Sequence, residues 1–314
     1  MSNNSPLVSI IMPTYNRSHL LGRSIGSVIG QTYPDWELII WDDGSTDDTG
    51  KLISSFNDHR IKYYFDQNHG ATYARNRAIE KSQSELLAFL DSDDEWKNNK
   101  LAEQVEAMQV HSEIEFLFTD FNNVNVESGR NSRTFEQYTR VMRTLAVDKA
   151  GQYLFIIRDG FLQSLAQDNY IATDTVIIRK KILGHNSCFN ETLHNTEDFE
   201  LWWRLGLAHI QFAYLDRVTM TRYKSAGSLS SGSIQGLTNH LLALDLCTEE
   251  AVAAGEVKLA EALRPQYRNT WQNLITAYSR AHTTPAMWTA FRQSLRYGLH
   301  PGTVRLLLEG LIRP

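Results

Sequence analysis

Asp91-Ser92-Asp93-Asp94 follows directly on the apolar run Glu85-Leu-Leu-Ala-Phe-Leu90. Side chains two apart in an extended segment point the same way, so Asp91 and Asp93 are expected on one side of the chain. In an open α/β sheet, ligands bind at the carboxyl ends of the strands. Two carboxylates held there suit a hard cation, Mg²⁺ or Mn²⁺, which completes its shell with water and substrate phosphates. The expected ligand is a metal-diphosphate, although acids after a strand would equally make a solvated turn that caps the next helix.

Two further strand ends carry polar groups. Val8-Ser-Ile-Ile-Met-Pro-Thr-Tyr-Asn-Arg17 finishes in Pro13, Thr14 and Tyr15, and the Tyr15 ring suits stacking on a nucleobase. Pro13 and Asn16 are also ordinary turn formers. Trp41-Asp-Asp-Gly-Ser-Thr-Asp-Asp-Thr49 offers Asp43, whose ionised carboxylate is an acceptor for the imide N–H of a pyrimidine. The alternative there is a turn, with Ser45 and Asp48 as a capping pair.

These segments need a frame to bring them together. Strands are predicted near Leu7–Met12, Trp36–Asp42, Ile61–Phe65, Glu85–Leu90 and Glu115–Thr119, with helices between them, the pattern of βαβ units and a mainly parallel sheet. In the first helix Leu20, Leu21, Ile25, Val28 and Ile29 recur at three- and four-residue spacing and read as core, with Ser18 as cap and Gln31–Pro34 as stop. Asn122–Arg133 turns polar and reads as a long loop or hairpin between two halves. A helix around Ala150–Gln167, a strand at Thr175–Arg179, a helix opening at Glu197 and strands at Gln211–Leu215 and Val218–Tyr223 are expected next. After the Gly/Ser-rich Ser225–Ser233, the pattern is helical to Pro314, with breaks near Gly255, Thr283–Pro285 and Pro301.

Composition removes several classes. A 314-residue chain of formal net charge −5 has no electrostatic case for nucleic acid. Cys188 and Cys247 lie far apart and outside any C-x-x-C, so neither a disulfide framework nor a thiolate metal site is indicated. No G-x-G-x-x-G follows the first strand, against a Rossmann dehydrogenase. Without a basic leader or a run of about 18 apolar residues, the chain reads as cytoplasmic, with a peripheral place at the inner face of the membrane as a second option.

In order and rough spacing, Pro13-Thr-Tyr-Asn-Arg17, Asp42-Asp-Gly-Ser-Thr-Asp47, Asn68-His-Gly70 with Ala74-Arg-Asn76, and Asp91-Ser-Asp-Asp94 resemble the motifs of family-2 glycosyltransferases of GT-A fold. The resemblance covers about residues 6 to 230. It implies an α/β, GT-A type nucleotide-diphospho-sugar transferase fold: a mostly parallel central sheet flanked by helices, with an α-helical C-terminal extension. Residues 1–232 would form the catalytic domain, 1–120 its nucleotide-binding half and 121–232 its acceptor and catalytic-base half, with 233–314 as the extension. The donor-binding residues implied are Pro13, Thr14, Tyr15, Asp43, Arg75, Asp91, Ser92 and Asp93, with Thr14, Tyr15 and Asp43 on the nucleoside. Asp93 would bind Mn²⁺ or Mg²⁺, Asp94 being a substitute. The implied reaction is inverting transfer from a nucleoside-diphosphate sugar, foremost a UDP-sugar, to a hydroxyl of a glycan or glycolipid-linked acceptor in polysaccharide biosynthesis.

A fifth segment, His194-Asn-Thr-Glu-Asp-Phe-Glu-Leu-Trp-Trp-Arg204, resembles the family's Glu-Asp followed by an aromatic-and-Arg helix. On that likeness Asp198 is the catalytic base, taking the acceptor proton as the bond to the sugar forms. Asn195 with Asp198 would equally make a capping box. Consecutive helical residues face about 100° apart, so one of Trp202 and Trp203 is expected in the core and one in the cleft. Trp202, Glu197, Arg222 and Lys224 are the candidate acceptor or diphosphate contacts. Ser225 stands where the family's closing loop often carries a histidine, which leaves that loop's metal role open. His185, His194 and His209 lack metal-ligand spacing. Val304, Leu306, Leu307, Leu308, Leu311 and Ile312, with Arg292, Arg296, Arg305 and Arg313, suit packing on the body, a homodimer contact or a helix at the membrane interface. A non-catalytic nucleotide-sugar-binding homologue and a sugar nucleotidyltransferase are the alternatives, the latter without a basic glycine-rich triphosphate loop.

Overall fold

The structure, a computed structural model, describes residues 7–184, 188–224 and 233–298. Strands β1 (Val8–Thr14), β2 (Trp36–Asp42), β3 (Ile61–Phe65) and β4 (Leu86–Phe89) are parallel. Strands β5 (Glu95–Trp96), β6 (Phe116–Asn125), β7 (Asn131–Arg133), β8 (Ala146–Lys149), β9 (Leu154–Asp159), β10 (Ile177–Arg179) and β11 (Phe212–Lys224) complete the sheet. Its order is β3-β2-β1-β4-β10-β6-β11-β9-β8, with β5 on β11 and β7 on β6. β10 enters antiparallel between β4 and β6, and β6 runs parallel to β11.

The apolar runs follow from burial of both faces. Val8, Ile10 and Met12 of β1 enter one core cluster while Ile11 enters the other; Leu38 and Ile40 of β2 divide likewise from Ile39 and Trp41. A strand covered on both faces needs apolar side chains at successive positions. Helices Ser18–Ile29 and Lys100–Val110 cover one face through Leu21, Ile25, Val28, Leu101, Val105 and Met108. Helices Ala71–Lys81 and Glu197–Leu207 cover the other through Ala74, Ala78, Phe199 and Trp202. Leu241, Leu244 and Cys247 of the Ile234–Ala253 helix, and Leu274 and Ile275 of the Arg264–Arg280 helix, join that second cluster. No described helix is long and apolar enough to cross a membrane.

Three expectations change. The helix expected around 150–167 is β9 followed by a short helix, Phe161–Leu165. β9 pairs with β11, and Gly160 at φ +84° makes the turn, where an added Cβ would stand 2.5 Å from the Thr144 carbonyl oxygen. The two strands expected over 211–223 are one, β11, with irregular register between Leu215 and Met220. The polar stretch 122–133 takes the hairpin form of the two expected, β6–β7, anchored where the Arg133 guanidinium meets Asp120 and Asp216. Ser18 is not a helix cap; its hydroxyl donates to Asp47. Breaks do fall beside Gly255 and before Pro285, whereas Pro301 and the apolar residues 304–312 lie outside the described residues.

Candidate active site

β1 pairs with β4 only as far as Ile11–Phe89 but follows β2 to Thr14–Asp42. Pro13 stands past the last β4 pair, where its missing N–H costs the ladder nothing. Thr14 Oγ1 is buried there without a partner, and Tyr15 beside it is exposed. Asn16, at φ +51°, accepts the N–H of Thr46 at 2.8 Å and donates its own to Ser45 at 2.8 Å, which ties the loop after β1 to the loop after β2.

Asp43 is buried, and its two oxygens accept the N–H groups of His69 and Gly70 at 2.8 and 2.7 Å. Each carboxylate oxygen has a second lone pair, so room remains for a donor from a ligand. Gly44 turns the chain at φ +85°, where an added Cβ would lie 2.9 Å from the Asn68 nitrogen. The capping pair Ser45–Asp48 does not form: Ser45 N–H donates to Asp42, and Asp47 takes the Thr49 N–H.

After β4 the acidic segment alternates as expected, though in a turn rather than an extended strand. Asp94 N–H reaches the Asp91 carbonyl at 3.3 Å. Asp91 and Asp93 side chains are 38% and 34% exposed, while Ser92 and Asp94 turn inward and are buried. Burial, and then the Asp91 charge, hold the Asp93 carboxyl above its ordinary range. A cation would relieve that crowding, so Asp91 and Asp93 fit a metal that takes its other ligands from diphosphate and water. Among the described residues no group of three or more His, Cys, Asp or Glu side chains forms a closed metal cage. Asp94 is buried rather than presented beside Asp91 and Asp93: Tyr223 N–H donates to it at 3.0 Å, and its carboxyl adjoins that of Asp174. Ser92, facing inward, is likewise withdrawn from the donor side.

Asp198 stands opposite, in the first turn of the Glu197–Leu207 helix. Asn169 and Thr173 donate to its two oxygens at 3.3 Å each, and Phe199 N–H donates at 2.7 Å. Burial and the adjoining Glu197 charge push its pKa up to about 6, against the pull of Phe199 N–H, Arg222 and Arg75. The Asn195 capping box is absent; Thr196 precedes the helix in a left-handed conformation. Arg75 spans the two sides, donating to Asp91 at 2.9 Å and to Glu197 at 2.6 Å. Burial opposes its charge, but those two carboxylates more than offset that and hold it firmly protonated. Arg222 lies 3.9 Å from Asp94 and feels Asp174, Asp91 and Asp198 as well.

Two proposed contacts are reassigned. Trp202 is wholly buried, edge-on to Phe116 at 4.6 Å and Phe189 at 6.2 Å, and Trp203 is buried beside Phe199. Neither faces a cleft, because the sheet covers one side of their helix and the Ile234–Ala253 helix covers another. Glu197 is engaged by Arg75. Lys224 ends β11, exposed, and residues 225–232 lie outside the described residues, as does His185.

Asp174 was missed from the sequence. It is fully buried and accepts the Asp91 N–H at 2.5 Å, while its Oδ2 is buried without a hydrogen-bond partner. Burial, then Asp91 and Asp94, raise it well above the carboxylate range. Thr173-Asp174-Thr175 precedes a strand instead of ending one. Because β10 is antiparallel to β4, its amino end lies beside β4's carboxyl end.

A family model described as glycosyl transferase family 2 matches residues 9–167, half of the chain. The chain belongs to that family. It is 44% identical over 125 residues to a putative teichuronic acid biosynthesis glycosyltransferase, TuaG, of Bacillus subtilis, covering 39% of this chain and 49% of that one. It is 43% identical over 123 residues to the UDP-Glc:alpha-D-GlcNAc-diphosphoundecaprenol beta-1,3-glucosyltransferase WfgD of Escherichia coli, covering 39% and 48%. The matched segment thus spans about half the length of these curated relatives. In fold, this family member is similar to S. aureus TarS 1-349 in complex with UDP, with a TM-score of 0.62 at 19% identity over 92% of this chain and 88% of that one. It is also similar to mannosyltransferase PcManGT of Pyrobaculum calidifontis in complex with GDP-Man and Mn²⁺, with a TM-score of 0.59 at 14% identity over 98% and 80%. These likenesses establish a GT-A fold.

Proposed function

We propose that the protein is an inverting, metal-dependent glycosyltransferase that moves a sugar from a UDP-sugar to a hydroxyl of a glycan or lipid-linked acceptor in cell-surface polysaccharide synthesis. The observation that carries this is Arg75, which ties Asp91 at the end of β4 to Glu197, the residue before Asp198. One buried cation thereby sets the donor-side carboxylates and the base in fixed relation. Asp198 takes the proton of the acceptor hydroxyl while that oxygen bonds to the anomeric carbon and the bond from that carbon to the diphosphate breaks. A single displacement of this kind inverts the centre. Asp43 receives the pyrimidine imide, Thr14 and Tyr15 border the nucleoside, and Arg222 lies toward the phosphates. Asp93, with Asp91 alongside, would hold Mn²⁺ or Mg²⁺, which supplies charge to offset that of the departing diphosphate. The names of TuaG and WfgD favour a glycan or diphosphate-lipid acceptor and, in WfgD, a UDP-sugar.

Calorimetry of UDP, dTDP, GDP and CDP with and without Mn²⁺, on the wild type and on Asp43→Ala and Asp93→Asn, tests the donor site. Metal-enhanced binding of UDP, weakened by both changes, is expected; folded protein that binds none of the four removes the assignment. Asp198→Asn should keep UDP affinity and lose most turnover. Donor binding by wild type without turnover or hydrolysis across a broad acceptor panel would instead indicate a non-catalytic binding protein, and pyrophosphate release with a sugar phosphate would indicate a nucleotidyltransferase.

A further inference from the structure

From Arg264 to Pro314 the sequence holds seven arginines and one acid, Glu309, in a chain of formal net charge −5. Positive charge is therefore concentrated at this end of a protein that is otherwise acidic. Helices Arg264–Arg280 and Thr284–Ser294 pack against each other across a three-residue link, and a short helical turn, Leu295–Tyr297, closes the second. The rings of Tyr267 and Tyr297 stack at 4.2 Å with 7° between their planes, which joins the start of the first helix to the end of the second. Arg264 and Arg268 are one helical turn apart, as are Arg292 and Arg296, so the stack gathers four arginines at one end of the hairpin. Arg264, Arg292 and Arg296 are exposed, and Arg268 is half-buried. Among the described residues, the ion pairs run from Arg17 to Arg222 and include none of the four. The nearby Asp245 carboxylate is taken by the Tyr267 hydroxyl at 2.7 Å. Leu295, between two of the arginines, is 50% exposed.

We propose that this end of the hairpin docks on a bilayer surface rich in anionic phospholipid, with Leu295 entering the headgroup layer. Guanidinium groups bind phosphate bidentately and shed water more readily than ammonium groups. Unpaired arginines flanking an exposed leucine combine the electrostatic and apolar terms that hold a protein at such an interface. A long polyanion laid along the molecule would meet its acidic remainder, whereas a surface touching the hairpin end alone would not. The docked end also adjoins the acceptor side of the cleft: Gln266 donates to the Leu165 carbonyl at 2.9 Å, four residues before Asn169, whose amide holds Asp198. The inference rests on the transferase reading only for what the surface presents to the cleft, a lipid-linked acceptor.

Co-sedimentation of the full chain with vesicles of phosphatidylglycerol and phosphatidylcholine, against phosphatidylcholine alone, reads the contact directly. A basic residue near an anionic surface is worth roughly fivefold in partitioning, so replacing Arg264, Arg268, Arg292 and Arg296 together by Gln should weaken binding at least tenfold. Arg280→Gln, at the opposite end, should change it far less. UDP calorimetry on the same samples separates this question from the donor site and reports folding. Should the quadruple variant lose UDP binding too, the paired variants Arg264→Gln/Arg268→Gln and Arg292→Gln/Arg296→Gln decide. Equal binding to phosphatidylcholine alone, unchanged binding by folded variants, or release of wild type by inorganic phosphate at constant ionic strength would each overturn the proposal.

Discussion

Asp174 accepts the backbone N–H of Asp91 at 2.5 Å and lies close enough to Asp94 for each carboxyl to perturb the other, so a buried carboxyl on β10's approach meets both ends of the acidic turn after β4. An amide can do the same work, because Asn accepts with one atom and donates with the other. Asp174→Asn should therefore keep the donor KM within about threefold, whereas Asp174→Leu, which leaves two polar groups unpaired, should raise it at least about tenfold. Steady-state kinetics decide between them. Equal damage by both changes would mean that the ionised carboxylate itself is required.

The pH profile follows from Asp198. A base acts only when ionised, and burial with the Glu197 charge raises this carboxyl to about 6. The protonated, inactive form thus accumulates as pH falls through about 6, and kcat/KM should fall with it while remaining level on the neutral side. In Glu197→Gln one of the raising charges is gone, so the acidic limb should move to lower pH. A limb that stays in place would separate Asp198 from the proton transfer.

Removing a partner from Arg75 tests the tie across the cleft. Its side chain is 4% exposed, and Glu197→Ala would leave Asp91 as its one remaining carboxylate. Breaking a buried pair by deleting one member costs about 3 kcal/mol, and Glu197→Gln, which keeps an acceptor, should cost clearly less. Urea unfolding midpoints measure both. A neutral Glu197→Ala would show that the pair carries no net stability.

Gly44 links backbone conformation to the proposed donor site. At φ +85° a Cβ would stand 2.9 Å from the Asn68 nitrogen, displacing the turn whose N–H groups hold Asp43. Gly44→Ala should cost about 1–2 kcal/mol of stability and weaken UDP binding as well. Gly129→Ala, also at positive φ but with open space around its Cβ, should cost stability without touching UDP affinity. Calorimetry on the pair checks this.

Local chemistry was enough to gather the polar residues of the proposed donor side at one edge of the sheet. Apolar runs in β1, β2 and β4 require a sheet buried on both faces, and residues after such strands gather at one edge. Asp43, Asp91 and Asp93 were legible for that reason, and the alternation of facing side chains persisted even though the acidic segment is a turn. Whether a polar side chain is free or already engaged was not legible. Asp94 and Glu197 look like ligands in sequence and are occupied by Asp174 and Arg75. Trp202 and Trp203 face different ways on their helix, yet both are core because a helix more than thirty residues downstream packs over it. Asp174 enters through β10's antiparallel insertion, a crossing that no local period announces. Sequence alone determined which groups stand at the ends of the strands, since that follows from residue type and short-range spacing. Tertiary structure decided which of them are spent on one another and which remain for a ligand, because pairing among buried charges depends on neighbours that the chain supplies from far away.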